Sequence, residues 1–415
     1  MFIIAKEKIN SKDVQNNLWT LLSSGAASLN AAVMFFITVR TIGLDEAGFL
    51  SFAMAVASLF QIIAMFGIRH YQSTDIKQEH SFNSYLGLRF CSVLLASMSV
   101  AVYLFIVGNN MTRTLIIVLA YLYYLADAIA DVFMGDLQQK SLMRVAGRMR
   151  VCAYASCILV FSATSIITQS LITSLAVMCI TIYMNYIIWI WIYRKNFKGV
   201  RAKFDVRAIK TLTYNIWPFI IGSFTFSFVV STPKYFLESL WTDETVAMYS
   251  IFLLPVTLLA LLSNSFFSGA EITKSAEIFS AGSAKALSQR LNKQILLALC
   301  FSAAMFLCLF TFGIPLFSWM YGTDLSPYSR EYLIMGFGGV MVSVKAALGA
   351  CMTVLRKQRT SLLINVTVSL VTVPVTWFVI SRLGVLGAVF SNLIFFAPLA
   401  IVTYIVCRST LKKMI

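Results

Sequence analysis

Charge is scarce in this 415-residue chain: 12% of its residues are Asp, Glu, Lys or Arg, while 59% are apolar and the mean hydropathy is +0.82. Soluble globular chains carry about 25% charged residues, so a water-soluble fold is excluded. Histidine is scarcer still, with only His70 and His80. No HExxH, GxSxG or phosphate-binding glycine-lysine motif occurs, which leaves ATP-driven pumping and hydrolysis without residues to run on. No catalytic residue and no metal ligand set is assigned, and no cofactor is expected. The eight cysteines show no CxxC or Cys/His spacing and read as small apolar packing residues. Proline is absent from the first half, and all seven prolines (Pro218, Pro233, Pro255, Pro315, Pro327, Pro374, Pro398) lie in the second. Kinked helices are therefore expected there.

What the chain has in abundance is long apolar runs. A membrane-spanning helix needs about 20 of them in a row. Suitable runs fall near 18–39, 47–68, 86–107, 115–134, 151–169 and 171–192, then near 213–232, 247–269, 294–318, 332–354, 361–380 and 384–407. The fold class expected is an all-α polytopic membrane protein of about 12 transmembrane helices, in two six-helix lobes around a central cavity. The domains follow: an N-terminal lobe over 1–193, a basic linker over 194–212 and a C-terminal lobe over 213–415.

Lys and Arg test the span map, because cytoplasmic loops retain positive charge. With the N-terminus inside, most of the 33 basic residues collect in alternate connections, including seven in the linker RKNFKGVRAKFDVRAIK. A wrong span count would mix the two sets. Twelve spans with both termini cytoplasmic are favoured, the N-terminal segment being read as an uncleaved tail. The net charge of +16 is then topological signal and contact with anionic lipid, with no nucleic-acid partner. All seven tryptophans fall close to a span end, as an interfacial belt requires.

A weak internal similarity reads either as a repeat or as chance likeness between apolar segments. VRTIGLDEAGFLSFA at 39–53 aligns with LESLWTDETVAMYSIF at 237–252 if one residue is inserted, matching Asp45-Glu46 to Asp243-Glu244. SRLGVLGAVFSN at 381–392 is a third variant. Each copy sits at a short turn between paired helices.

Because the outward connections are short, any substrate is handled within the membrane, and ionisable residues inside spans become the main clue. A charge at mid-membrane costs at least about 2.5 to 3.5 kcal/mol and normally needs a partner or a wet cavity. Lys345 lies near the centre of the tenth span, where it either meets an anionic substrate group or pairs with a carboxylate to hold helices together. Asp127 and Asp131, four residues apart, share one face of the fourth span; either they repel and take up a proton or cation, or Asp131 is simply solvated at the interface. Lys234 and Glu238 are spaced as an intrahelical pair. Arg40, Arg69 and Arg89 lie near span ends and are read as snorkelling to headgroups or lining a path.

The stretches RTIGLDEAGFLSFAMAVASLFQIIAMFGIRHYQSTDI at 40–76 and PKYFLESLWTDETVAMYS at 233–250, on two six-helix halves, together resemble an O-antigen or capsule repeat-unit flippase of the multidrug/oligosaccharidyl-lipid/polysaccharide exporter superfamily. In one departure, Val246-Ala247 stand where such proteins often place a glycine before the aromatic-Ser pair. In another, the first span lacks the basic residues of peptidoglycan-precursor flippases. The resemblance implies a flippase of the inner, cytoplasmic membrane that moves undecaprenyl-pyrophosphate-linked oligosaccharide to the outer leaflet by alternating access. A proton or sodium gradient would drive it, through acids such as Asp127, Asp131 and Glu238. Lys345, Lys234 and Arg40, in that order, are the candidates for the pyrophosphate. The partners implied are lipid-linked oligosaccharide, membrane lipids and polysaccharide polymerase or assembly proteins. The alternatives are a drug or organic-cation antiporter of the same superfamily, which should show more acid than base in its cavity, and a membrane-embedded glycan-processing enzyme, which needs a large outer loop or an intramembrane His/Asp.

Overall fold

The computed structural model describes residues 11–413 except 76–78, 109, 141, 198–199, 268–274, 276–277, 279–283 and 356. The described residues form helices and turns, with no strand among them. The first half holds α1 (Ser11–Thr41), α2 (Leu44–Met65), a short α3 (Ile68–Thr74), α4 (Phe82–Val107), α5 (Met111–Gln139), α6 (Met143–Thr168) and α7 (Leu171–Ile192). The second holds α8 (Val206–Leu240), α9 (Asp243–Phe267), α10 (Ala284–Tyr321), α11 (Ser329–Val354), α12 (Gln358–Leu383) and α13 (Val385–Lys412).

Helix is the form these runs must take, since lipid offers no partner for backbone N–H and C=O groups and only a helix satisfies them within one segment. The ends are set locally. Ser81, Asn110 and Ser170 each accept the N–H three residues on, from Ser84, Arg113 and Thr173, as helix N-caps. Gly108 closes α4 in the left-handed conformation. Among the described residues eleven helices are long and apolar enough to cross a membrane. They become twelve if α8, bent by 48° between Val206–Trp217 and Phe219–Leu240, is one span; at the bend Pro218 cannot donate to the helical ladder. Pro255, Pro315, Pro374 and Pro398 lie inside α9, α10, α12 and α13.

Large apolar side chains point outward along the spans, among them Phe105 at 88% exposure and Ile167 at 80%. Such a surface is what contact with lipid requires of a spanning helix. Four of the eight cysteines, Cys91, Cys152, Cys300 and Cys308, also face outward, so the packing role expected of them holds for Cys157, Cys179, Cys351 and Cys407 alone.

The chain divides into two compact units, one of residues 1–42 and 53–221 and the other of 43–52 and 222–415. In the first, α6 packs on α1 and α7, and α5 on α7, α3 and α4. A core of Ile68, Tyr85, Leu88, Val132, Leu212 and Ile216 seats the start of α8 there. The loop after α3 is held by Asp75, which accepts hydrogen bonds from the backbone N–H of Glu79 and His80 and from the Tyr85 hydroxyl. Burial works to raise the Asp75 carboxyl, but these bonds together hold it below the usual carboxylate value.

In the second unit, α11 packs on α13, α9 and α10, and α12 packs on α13. Ala298 of α10 and Ala347 and Ala350 of α11 let those two helices approach closely. The start of α2 belongs to this unit, and the two best repeat copies meet here. Both begin a helix with acidic residues, Asp45-Glu46 and Asp243-Glu244, which suit the positive end of the helix dipole. Ser51 and Ser250, equivalent positions with the one-residue insertion, share a hydrogen bond of 2.8 Å. Gly48 is what permits the approach, because a Cβ there would lie 1.8 Å from the Asp243 carbonyl oxygen and 3.1 Å from the Ala247 nitrogen. Gly48→Ala is expected to lose about 1–3 kcal/mol, the range of an overpacked core. Thermal unfolding in detergent checks this against Gly349→Ala, whose added Cβ meets nothing within 4 Å and should leave the midpoint in place.

Candidate functional site

Within the first unit, the buried charges form a connected set on α2 to α7. Asp127 and Asp131 lie on one face of α5, as their spacing requires, but each is met by arginine. Arg150 of α6 reaches Asp127 at 2.9 Å, and Tyr186 of α7 donates to the same carboxylate at 2.8 Å. Gln61 of α2 adds a third donor at 3.3 Å. Asp131 takes Arg89 of α4 at 3.0 Å and Arg69 of α3 at 3.3 Å, one on each oxygen. One turn on, Asp136 pairs with Lys140 at 2.6 Å.

These pairings revise two expectations. Arg89 does not snorkel: it is 2% exposed, and its guanidinium also donates to the Ala64 carbonyl oxygen at 2.6 Å. Asp131 is not solvated at the interface but 8% exposed among helices. The repulsion expected between Asp127 and Asp131 is met by three arginines, so this set carries base in excess of acid. An ion pair buried this way must be nearly complete, because an unmatched charge in low dielectric costs several kcal/mol. Arg150 stands in a segment whose position in the sequence suggests a cytoplasmic end, and nothing in its spacing marks it as the partner of Asp127. The signal that could have found Arg89 is its place inside an apolar run, seven residues past the start of α4.

In the second unit the basic candidates stand differently. Lys345 is on α11, half-buried, with its ammonium 4.7 Å from the centre of the Phe226 ring of α8. Phe226 in turn packs on Phe395 and Phe396 of α13. Among the described residues no carboxylate lies within ion-pairing distance of Lys345. An aromatic face replaces water around the charge without neutralising it. Lys234 lies on α8 eight residues beyond Phe226, about 12 Å along the axis at 1.5 Å per residue. Its ammonium donates to the Ser51 hydroxyl at 2.8 Å, the same hydroxyl that meets Ser250. Here too no carboxylate pairs with the lysine among the described residues, so the Lys234–Glu238 pair suggested by spacing is not formed. Glu238 is half-buried near the end of α8, and Arg40 stands exposed in the last turn of α1.

The second unit thus holds two ammonium groups with hydroxyl and aromatic neighbours, while the buried acids of the first are matched by arginine. That arrangement can accept an anion more readily than a cation. No group of three or more His, Cys, Asp or Glu among the described residues is placed to hold a metal ion.

The sequence matches the family model described as polysaccharide biosynthesis protein over residues 14–279. No curated protein matches the chain. Among solved structures it is similar to an inward-facing multidrug resistance MATE family transporter of the MOP superfamily, with 11% identity, coverage of 93% of this chain and 95% of that one, and a TM-score of 0.66. It is also similar to a MOP superfamily transporter from Pyrococcus furiosus, described as having a binding pocket of reversed polarity that suggests a different function. That likeness has 13% identity, coverage of 97% and 95%, and a TM-score of 0.58. At such identities the likeness establishes the fold.

Proposed function

The chain belongs to the polysaccharide biosynthesis protein family, and from that premise we propose that it moves a polyprenyl-pyrophosphate-linked oligosaccharide across the cytoplasmic membrane, from inner to outer leaflet. The observation that carries this reading is the sign of the intramembrane charge. Lys345 and Lys234 are ammonium groups with no carboxylate partner among the described residues, and a pyrophosphate supplies the counter-charge each lacks. The glycan needs a polar path only while it crosses, and the carrier's hydrocarbon tail can stay in lipid throughout.

In this reading the two halves alternate in access, the basic connections and both termini face the cytoplasm, and polymerase or assembly proteins take over the product. Coupling to a proton or sodium gradient through Asp127 or Asp131 requires the incoming cation to displace an arginine already on the carboxylate. Glu238 is the remaining acidic candidate, and Arg40 the third basic one.

Organic-cation antiport is the second reading, supported by the shared fold with multidrug transporters. A cationic drug needs an available carboxylate, and the buried acids of α5 are engaged by arginine and lysine. One experiment separates the two. Purified protein is reconstituted into vesicles holding polyprenyl-pyrophosphate oligosaccharide in the inner leaflet, and a membrane-impermeant glycosidase is added outside. Exposure of glycan in proportion to protein density is expected; exposure no greater than in protein-free vesicles, with uptake of an organic cation instead, overturns the flippase reading.

A further inference from the structure

We propose that the end of the second unit where α10 begins and α13 finishes holds a site for an anionic phospholipid, one acyl chain lying in a groove and the phosphate on Arg408. The groove has a volume of about 470 Å³ and opens on one side. Leu296 and Leu299 of α10, Met341 and Val344 of α11, and Ala400 and Ile401 of α13 line it, with apolar surface almost throughout. Its size is within the range of small-ligand clefts. Leu296 and Ile401 are each more than half exposed, so in a bilayer a hydrocarbon chain is the natural filling.

The polar rim argues for one class of lipid over another. Asn292 and Tyr404 close the groove at one end, and Arg408 holds both. Its guanidinium donates to the Asn292 carbonyl oxygen at 2.8 Å, to the Tyr404 hydroxyl at 3.0 Å and to the Ser288 hydroxyl at 2.8 Å. Those three bonds use one N–H on each nitrogen, and two of the five remain to meet a phosphate. The planar fork is thereby fixed in place before any ligand arrives. Lys293 is exposed beside Asn292, Lys285 is exposed two turns earlier on α10, and Lys412 is exposed one turn after Arg408 on α13. The sequences of α10, α12 and α13 contain no aspartate or glutamate at all. A zwitterionic headgroup gains little from such a field, whereas an anionic one is attracted by each basic residue near the surface.

The site differs from the one that carries the translocation reading, which rests on Lys345 and Lys234. The test uses the full-length protein purified in detergent and supplied with phosphatidylglycerol and phosphatidylcholine in equal amounts. Native mass spectrometry is expected to retain phosphatidylglycerol about tenfold over phosphatidylcholine. Arg408→Gln should remove most of that preference, and Leu296→Trp, which fills the groove without touching charge, should lower retention of both lipids. Thermal unfolding of both variants confirms that they are folded, and Ile401→Trp replaces Leu296→Trp if that variant is not. Equal retention of the two lipids by the unaltered protein, or a preference unchanged in the Arg408 variant, overturns the proposal. Displacement of phosphatidylglycerol by polyprenyl phosphate at equal concentration also overturns it, by assigning the groove to the carrier lipid.

Discussion

Replacing Lys345 by alanine is expected to abolish glycan translocation while the protein still reaches the membrane in normal amount, and Lys345→Arg is expected to keep part of the activity. A hydrogen bond to a charged group contributes about 1.5–3 kcal/mol, so losing it slows transport about ten- to a hundredfold before any effect on coupling. The distinguishing variant is Lys345→Met, which keeps the length of the side chain and removes its charge. A lone ammonium within the membrane is a liability to the fold of about 2.5 to 3.5 kcal/mol, lessened here by the Phe226 face. Lys345→Met should therefore unfold at the same temperature as the unaltered protein or higher, and still fail to transport. Falling activity with rising stability is the signature of a residue kept for its ligand. Full transport by Lys345→Ala, or a Lys345→Met protein that no longer folds, would defeat the assignment.

The second large effect concerns Asp131. Changing it to leucine takes from Arg89 and Arg69 the carboxylate that pairs with both, and removing one partner of a buried pair costs about 3–5 kcal/mol. A marginally stable chain cannot absorb that loss, so Asp131→Leu should be recovered from membranes in low yield and run as aggregate on size exclusion. The double variant Asp131→Leu, Arg89→Leu removes the deeper cation along with its anion and should recover much of the yield. Simple addition of the two single losses would mean that the pair is not coupled as its 3.0 Å separation implies.

How much of this was readable beforehand depends on what each feature rests upon. Spans rest on length and apolarity, which are properties of a segment by itself, and so the runs near 86–107 and 171–192 reappear almost unaltered as α4 and α7. The bend at Pro218 was legible only as a proline in the second half, because whether a proline ends, kinks or merely starts a helix depends on its neighbours. The short α3 was hidden, since seven residues are too few for a periodic signal. Pairings were harder still. Arg89 and Asp131 are 42 residues apart, and no spacing rule joins a carboxylate on one span to a guanidinium on another. The sequence did show that charges inside spans must be matched or used. That Lys234 meets Ser51 and not Glu238, four residues on, became visible only in the structure.

The contact between the starts of α2 and α9 is one of backbone on backbone. At Gly48 the Asp243 carbonyl comes nearer than any Cβ permits. Main-chain atoms have no rotamers with which to yield, so a larger residue at position 48 can be accepted only by moving a helix, and the spacing of the two helix starts is set there rather than by the side chains around it.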